Sequence, residues 1–61
     1  MMNEYDNVVL TKDFEDLKVG TKGTIVLKYD NYNFEVEFFS NDGETIGVYT
    51  ITDDFIALDK I

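Results

Sequence analysis

Apolar residues in this chain gather in short runs bounded by turn formers, and the central two runs define the rest. Phe34 to Phe39 (FEVEFF) alternates, with Phe34, Val36 and Phe38 on one face and Glu35 and Glu37 on the other. That is the pattern of a strand with one buried and one wet side. Gly23 to Tyr29 (GTIVLKY) is rich in β-branched residues and has strand length. Asp30 to Asn33 (DNYN) joins the two with residues that tolerate positive φ or bond their own backbone, which predicts an antiparallel hairpin. Before it, Gly20 and Gly23 mark a reversal needing positive φ or close backbone approach.

The flanking segments extend the same architecture. Met1 to Asp6 is polar and is expected to fray, while Asn7 to Leu10 starts the fold with Val8 and Leu10 inward. Thr11 to Val19 (TKDFEDLKV) is too short and too acidic for a helix, so it reads as a long excursion. Phe14 and Leu17 are expected to fold it back onto the body, with Leu17 or Val19 as its inner anchor. Ser40 to Gly43 (SNDG) has the Asp-Gly signature of a tight reversal. Glu44 to Thr50 alternates again, placing Ile46 and Val48 on one face and Thr45, Gly47 and Tyr49 on the other. Gly47 inside a strand predicts a bulge or bend. In the tail, Thr52, Asp53 and Asp54 look like a helix start with too few residues to continue. One helical turn is expected there, then a closing strand over Phe55 to Leu58 that pairs with the first strand. The predicted class is all-β: a small five-stranded barrel with one short helical turn before the last strand.

Size and charge narrow the function. A chain of 61 residues makes one domain with a modest core, burying only about 60% of its unfolded surface. Without cysteine, neither disulfides nor thiolate metal sites supplement that core, and a monomer or weak homodimer is expected. No apolar run approaches the roughly 20 residues of a membrane span. The opening MMNEYDN lacks the basic end and apolar segment of a signal peptide, so a cytoplasmic location with no membrane partner is expected. Five lysines, no arginine and thirteen carboxylates give a formal net charge of −8. Such a surface lacks the basic stripe that direct nucleic-acid binding requires and favours encounter with a basic protein. Surplus charge kept for solubility accounts for the same composition.

Candidate chemistry is sparse. Histidine, cysteine, tryptophan and arginine are all missing, which removes nucleophilic triads, thiolate sites and imidazole metal sites. Glu35 and Glu37 share a strand face, but their alternation with a buried face makes plain solvation the simpler reading. The SNDGE segment fails the calcium-loop pattern, because its first and twelfth positions fall on Phe38 and Tyr49. Gly20-x-x-Gly23 lacks the helix and lysine-serine pair of a phosphate loop. No enzymatic activity, metal or other cofactor is expected.

The element order resembles the Src-homology-3-like (SH3-like, KOW-like) barrel. Asp6-Asn7-Val8-Val9-Leu10-Thr11, Leu17-Lys18-Val19-Gly20, Gly23-Thr24-Ile25-Val26, Tyr29, Glu35-Val36-Glu37-Phe38 and Asp42-Gly43-Glu44-Thr45 carry a narrower likeness. Together they are similar to a family of small bacterial domains of unknown function, often encoded beside suspected toxins. The resemblance implies an antitoxin or immunity role by association, although the first loop here has no proline. It also implies that the first loop, the loop between the second and third strands, and the final helical turn converge. Asp13, Glu15, Asp16, Asp30, Asp53 and Asp54 would then rim Phe14, Tyr29, Tyr32 and Tyr49, an interface-like mix of charge and aromatic anchors. The competing reading makes Phe14 core and the loops acidic because they are wet. The leading expectation is a small acidic protein-binding module that occludes a basic partner such as a nuclease toxin. Alternatives are an accessory docking subunit of an enzyme or redox complex, and a nucleic-acid-mimicking inhibitor.

Overall fold

In the computed structural model, which describes residues 1–60, the β-branched and aromatic runs form five strands in one antiparallel sheet. They are β1 (Asn7–Leu10), β2 (Lys22–Lys28), β3 (Asn33–Phe39), β4 (Thr45–Thr52) and β5 (Ile56–Leu58), with a 3-10 turn at Asp53–Phe55 before the last. The strand order is β4-β3-β2-β1-β5, so the last strand returns beside the first. Val9 faces Ala57 across that pairing, and Leu10 faces Ile56. The helical turn and the closing strand expected in the tail are both present. The turn takes in Phe55, so the strand starts one residue later than its apolar run.

One face of the sheet holds the core: Val8, Leu10, Leu17, Ile25, Phe34, Val36, Phe38, Ile51 and Ile56 are all buried. The inward set of β3 is the one its alternation predicts. In β4 the inward residues are Tyr49 and Ile51, while Ile46 and Val48 face out, 44% and 56% exposed. The register shift that sets this phase lies between Phe38 and Phe39, opposite Gly47 and Thr45, as a strand-interior glycine suggests. Of the two candidate anchors in the first loop, Leu17 is buried and Val19 is 59% exposed.

Gly20 and Gly23 serve the two purposes that glycine meets. Gly20 sits at φ +93° with open space around it. Gly23 is buried between β1 and β3, and a Cβ there would lie 2.8 Å from the Glu37 carbonyl oxygen, Val36 Cγ1 and Phe38 Cδ1.

The amino-terminal segment is tied down rather than frayed. β2 is seven residues long against four in β1, so its backbone beyond Thr24 needs other partners. Tyr5 N–H donates to the Ile25 carbonyl (2.6 Å), Ile25 N–H to the Asp6 carbonyl (3.0 Å), and Lys28 N–H to Glu4 Oε2 (3.1 Å). Met2 packs against the core beneath this segment. Polarity signalled exposure here, but the unmatched length of β2 decided the outcome. Among the described residues no helix is long and apolar enough to cross a membrane.

Candidate functional site

The first loop is built as a miniature hairpin. Phe14 and Leu17 exchange backbone hydrogen bonds (2.9 and 2.8 Å), leaving Glu15 and Asp16 at the tip with Glu15 at φ 53°. An L-residue with a side chain rarely holds that conformation, and it costs about 1–2 kcal/mol where it does. Asp13 staples the base by accepting from Val19 N–H (2.9 Å), with Lys18 Nζ at 3.9 Å. Leu17 enters the core, and Phe14 lies half-buried at its margin. Its ring meets Phe55 edge-on at 5.0 Å and Tyr49 at 6.3 Å.

The 3-10 turn docks against this loop. Thr11 N–H donates to the Phe55 carbonyl (2.8 Å), and Lys12 Nζ sits 3.6 Å from Asp54 and 4.7 Å from the centre of the Phe55 ring. Thr52 caps no backbone N–H; its hydroxyl donates to the Asp54 carboxylate instead. The β2–β3 connection joins from the other side, where Asp53 N–H donates to the Tyr32 carbonyl (2.9 Å). Asp30 organises that connection by accepting from the N–H groups of Tyr32 (2.8 Å) and Asn33 (2.9 Å) and from the Asn33 amide.

Phe14, Asp16, Tyr32, Tyr49, Asp53 and Asp54 thus belong to one continuous run of contacts. The Tyr49 hydroxyl donates to Asp16 Oδ1 at 3.2 Å, and Tyr49 also packs on Phe38 of the core at 5.9 Å. Tyr29 lies apart from this run. Its hydroxyl donates to Glu35 Oε2 on the outer face of β3 (2.9 Å), and the Thr50 hydroxyl donates to the same oxygen. Glu37 likewise accepts from the Thr45 hydroxyl (2.8 Å). Both glutamates are half-buried and hydrogen-bonded rather than simply solvated, because Thr50 stands opposite Glu35 and Thr45 lies diagonally within reach of Glu37. Asp13 and Asp30 spend their carboxylates on loop architecture. Among the described residues, Glu15 and Asp53 have no side-chain hydrogen bond or ion pair, so no partner neutralises their charge. Lys12 and Phe55 complete the cluster, and sequence spacing carried no sign of them: a cation over a ring forty-odd positions away is a product of chain folding.

Hydrogen bonding biases several ionisations. The Thr52 hydroxyl, then the backbone N–H of Asp54 itself and Lys12, hold Asp54 below the ordinary carboxylate range, the Tyr32 N–H and the Asn33 amide do so for Asp30, and the Ser40 hydroxyl for Asp42. The bond to Glu35 raises the Tyr29 phenol, and partial burial followed by the charge of Asp16 raises Tyr49. Carboxylates with lowered folded values stabilise the fold above their unfolded pKa of about 3.9, and that contribution disappears as pH falls through the folded values. Phenols with raised values stabilise it below about 10, and theirs disappears as pH rises through the raised values. Relief of the overall negative charge acts in the opposite sense while pH falls toward 4, so the acid loss is confined below the usual carboxylate range. Thermal unfolding followed across pH is expected to show a plateau from about pH 4 to about pH 9 that declines on both sides. A midpoint still climbing below pH 3 would contradict the acid assignment.

Among the described residues, no group of three or more acidic side chains is placed to share a metal ion, and no pocket indents the surface. The arrangement offers an outer surface of carboxylates around half-buried rings. Comparison with curated proteins and with solved structures returns no match in either. A family profile matches residues 4–57, nearly the whole sheet and its loops, and the chain belongs to that family, described as a domain of unknown function (DUF4926).

Proposed function

We propose that this protein is a binding module that covers a basic protein surface with the loop-lined end of its sheet, as an antitoxin or immunity protein does. The accompanying fold reading is a Src-homology-3-like barrel, supported by the strand order and by the 3-10 turn before β5. The observation that carries the functional reading is the convergence of three acidic segments. Phe14 on Phe55 and Tyr32 on Asp53 join the first loop, the 3-10 turn and the β2–β3 connection into one surface. Glu15 and Asp53 project unneutralised charge there, and Phe14 and Tyr49 supply apolar contact inside it. Glu15 is held at positive φ at the loop tip, a strain consistent with a presented side chain.

The test is titration against the product of the adjacent reading frame, repeated as salt rises from about 0.1 M to about 1 M, over which the screening length shrinks from about 10 Å to about 3 Å. Affinity is expected to fall by about tenfold or more, chiefly through slower association. Glu15→Lys and Asp53→Lys are each expected to weaken binding with little change in thermal stability, while Tyr29→Ala, outside the cluster, leaves it intact. A salt-insensitive complex, or a neighbouring product that does not bind at low salt, would count against the proposal.

A further inference from the structure

The two edges of the sheet are unequal. β5 exposes an edge only three residues long, short enough to deter pairing. β4, at the other edge, is the longest strand at eight residues. Its sequence, TIGVYTIT, contains no charge and no proline, two of the usual defences of an open edge. Ile46 and Val48 stand exposed on its outer face.

The backbone of that edge is free in a defined register. The bond from Asp53 N–H to the Tyr32 carbonyl makes Thr52 and Asn33 a non-hydrogen-bonded pair. Pair types alternate in an antiparallel ladder, so Thr50 opposite Glu35 and Val48 opposite Glu37 are of the same type. Their N–H and C=O groups therefore point away from β3. Among the described residues, no strand pairs with that side of β4.

Charge selects the occupant. Glu44 adjoins one end of β4, Asp53 and Asp54 the other, and Glu35 and Glu37 run along the neighbouring strand. A second copy paired antiparallel about Tyr49, which sets Val48 against Thr50, would bring Glu44 to Asp54 at both ends, with a net charge of −8 on each chain. An extended segment with apolar or β-branched residues in the middle and lysine or arginine at its ends meets complementary charge at both ends, beside Glu44 and beside Asp53 and Asp54. We infer that β4 accepts such a segment from the basic partner as an added strand, main-chain bonds to Val48 and Thr50 giving affinity and the acidic ends selecting cationic flanks. This rests on the proposed function but locates a second contact, away from the loop cluster.

The probe is a synthetic capped peptide of alternating threonine and valine with lysine pairs at both ends. Amide exchange at Val48 and Thr50 is expected to slow about tenfold at a peptide concentration ten times the Kd. Methylating alternate peptide amides in the phase that faces β4 is expected to abolish this protection, while methylating the other phase preserves it. Val48→Pro removes an outward N–H without touching the β3 ladder and is expected to weaken peptide binding by about tenfold. Should that variant misfold, the methylated peptides on the unaltered protein still decide the matter. Binding indifferent to methylation phase, or shifts confined to Glu15 and Asp53, would overturn the edge assignment and leave the acidic loop surface standing. Concentration-dependent protection of Val48 and Thr50 without peptide, with sedimentation as a dimer, would overturn it in favour of a second copy. If the neighbouring product binds but Val48→Pro leaves its affinity unchanged, the edge inference fails alone; if that product does not bind, the functional reading fails first.

Discussion

Gly23→Ala is expected to destabilise the protein by about 2–3 kcal/mol, the upper part of the range for overpacking a core. The added methyl would lie 2.8 Å from three atoms of β3, one of them the Glu37 carbonyl oxygen. Side-chain tips can rotate aside, but that oxygen is held in the sheet, so β2 and β3 must separate locally. Gly23 also faces Val8 on β1, which closes the opposite route of escape. For a domain this small, each kcal/mol moves the unfolding midpoint by about 4–8 °C, giving an expected drop of about 10–20 °C. Gly20→Ala is the comparison. Its Cβ meets nothing, and only the positive φ opposes it, so about 1 kcal/mol is expected. Equal midpoints for the two variants would show that close strand approach is not what Gly23 provides.

Phe38→Ala is expected to cost about 3–5 kcal/mol, comparable to the whole stability of so short a chain, and to leave the protein largely unfolded at 25 °C. Phe38 is fully buried near the carboxy-terminal end of β3 and meets Tyr49 edge-on at 5.9 Å. Tyr49 in turn contacts Phe14 and bonds Asp16, so this ring supports the first loop from beneath. Phe38→Leu separates the two roles. Volume is largely kept, and a loss of about 1–1.5 kcal/mol is expected, with faster amide exchange at Leu17 than in the parent protein. Unchanged exchange at Leu17 would mean that the loop is held without help from the core aromatics.

The loop cluster was legible only in part. The resemblance implied that three acidic segments meet, which they do, and the tail residues Thr52, Asp53 and Asp54 take up or flank a turn where their chemistry suggests a helix start. Which carboxylates remain available was not legible. Asp13 and Asp30 look like Glu15 and Asp53 in one dimension, yet the first two are consumed by backbone N–H groups. Tyr29 looked like a partner of Tyr32, but it sits at the end of β2, and its side chain crosses to Glu35 on the outer face. Lys12, the cation nearest the cluster, is bound to Asp54 and lies over Phe55, lowering the net charge of that end of the sheet.

Local pattern alone sets the strands, their turns and the inward set of β3, because alternation and turn chemistry act between near neighbours. The strongly negative charge and the lack of imidazole, thiol and guanidinium groups are matters of composition. Which face of β4 is buried emerges from strand pairing, since one register shift opposite Gly47 sets the phase of the whole strand. Pairing also makes residues before β1 complete the backbone bonding of β2, because strand lengths must be matched across the sheet. And it leaves β4 at an open edge, a property of strand order that no local pattern encodes.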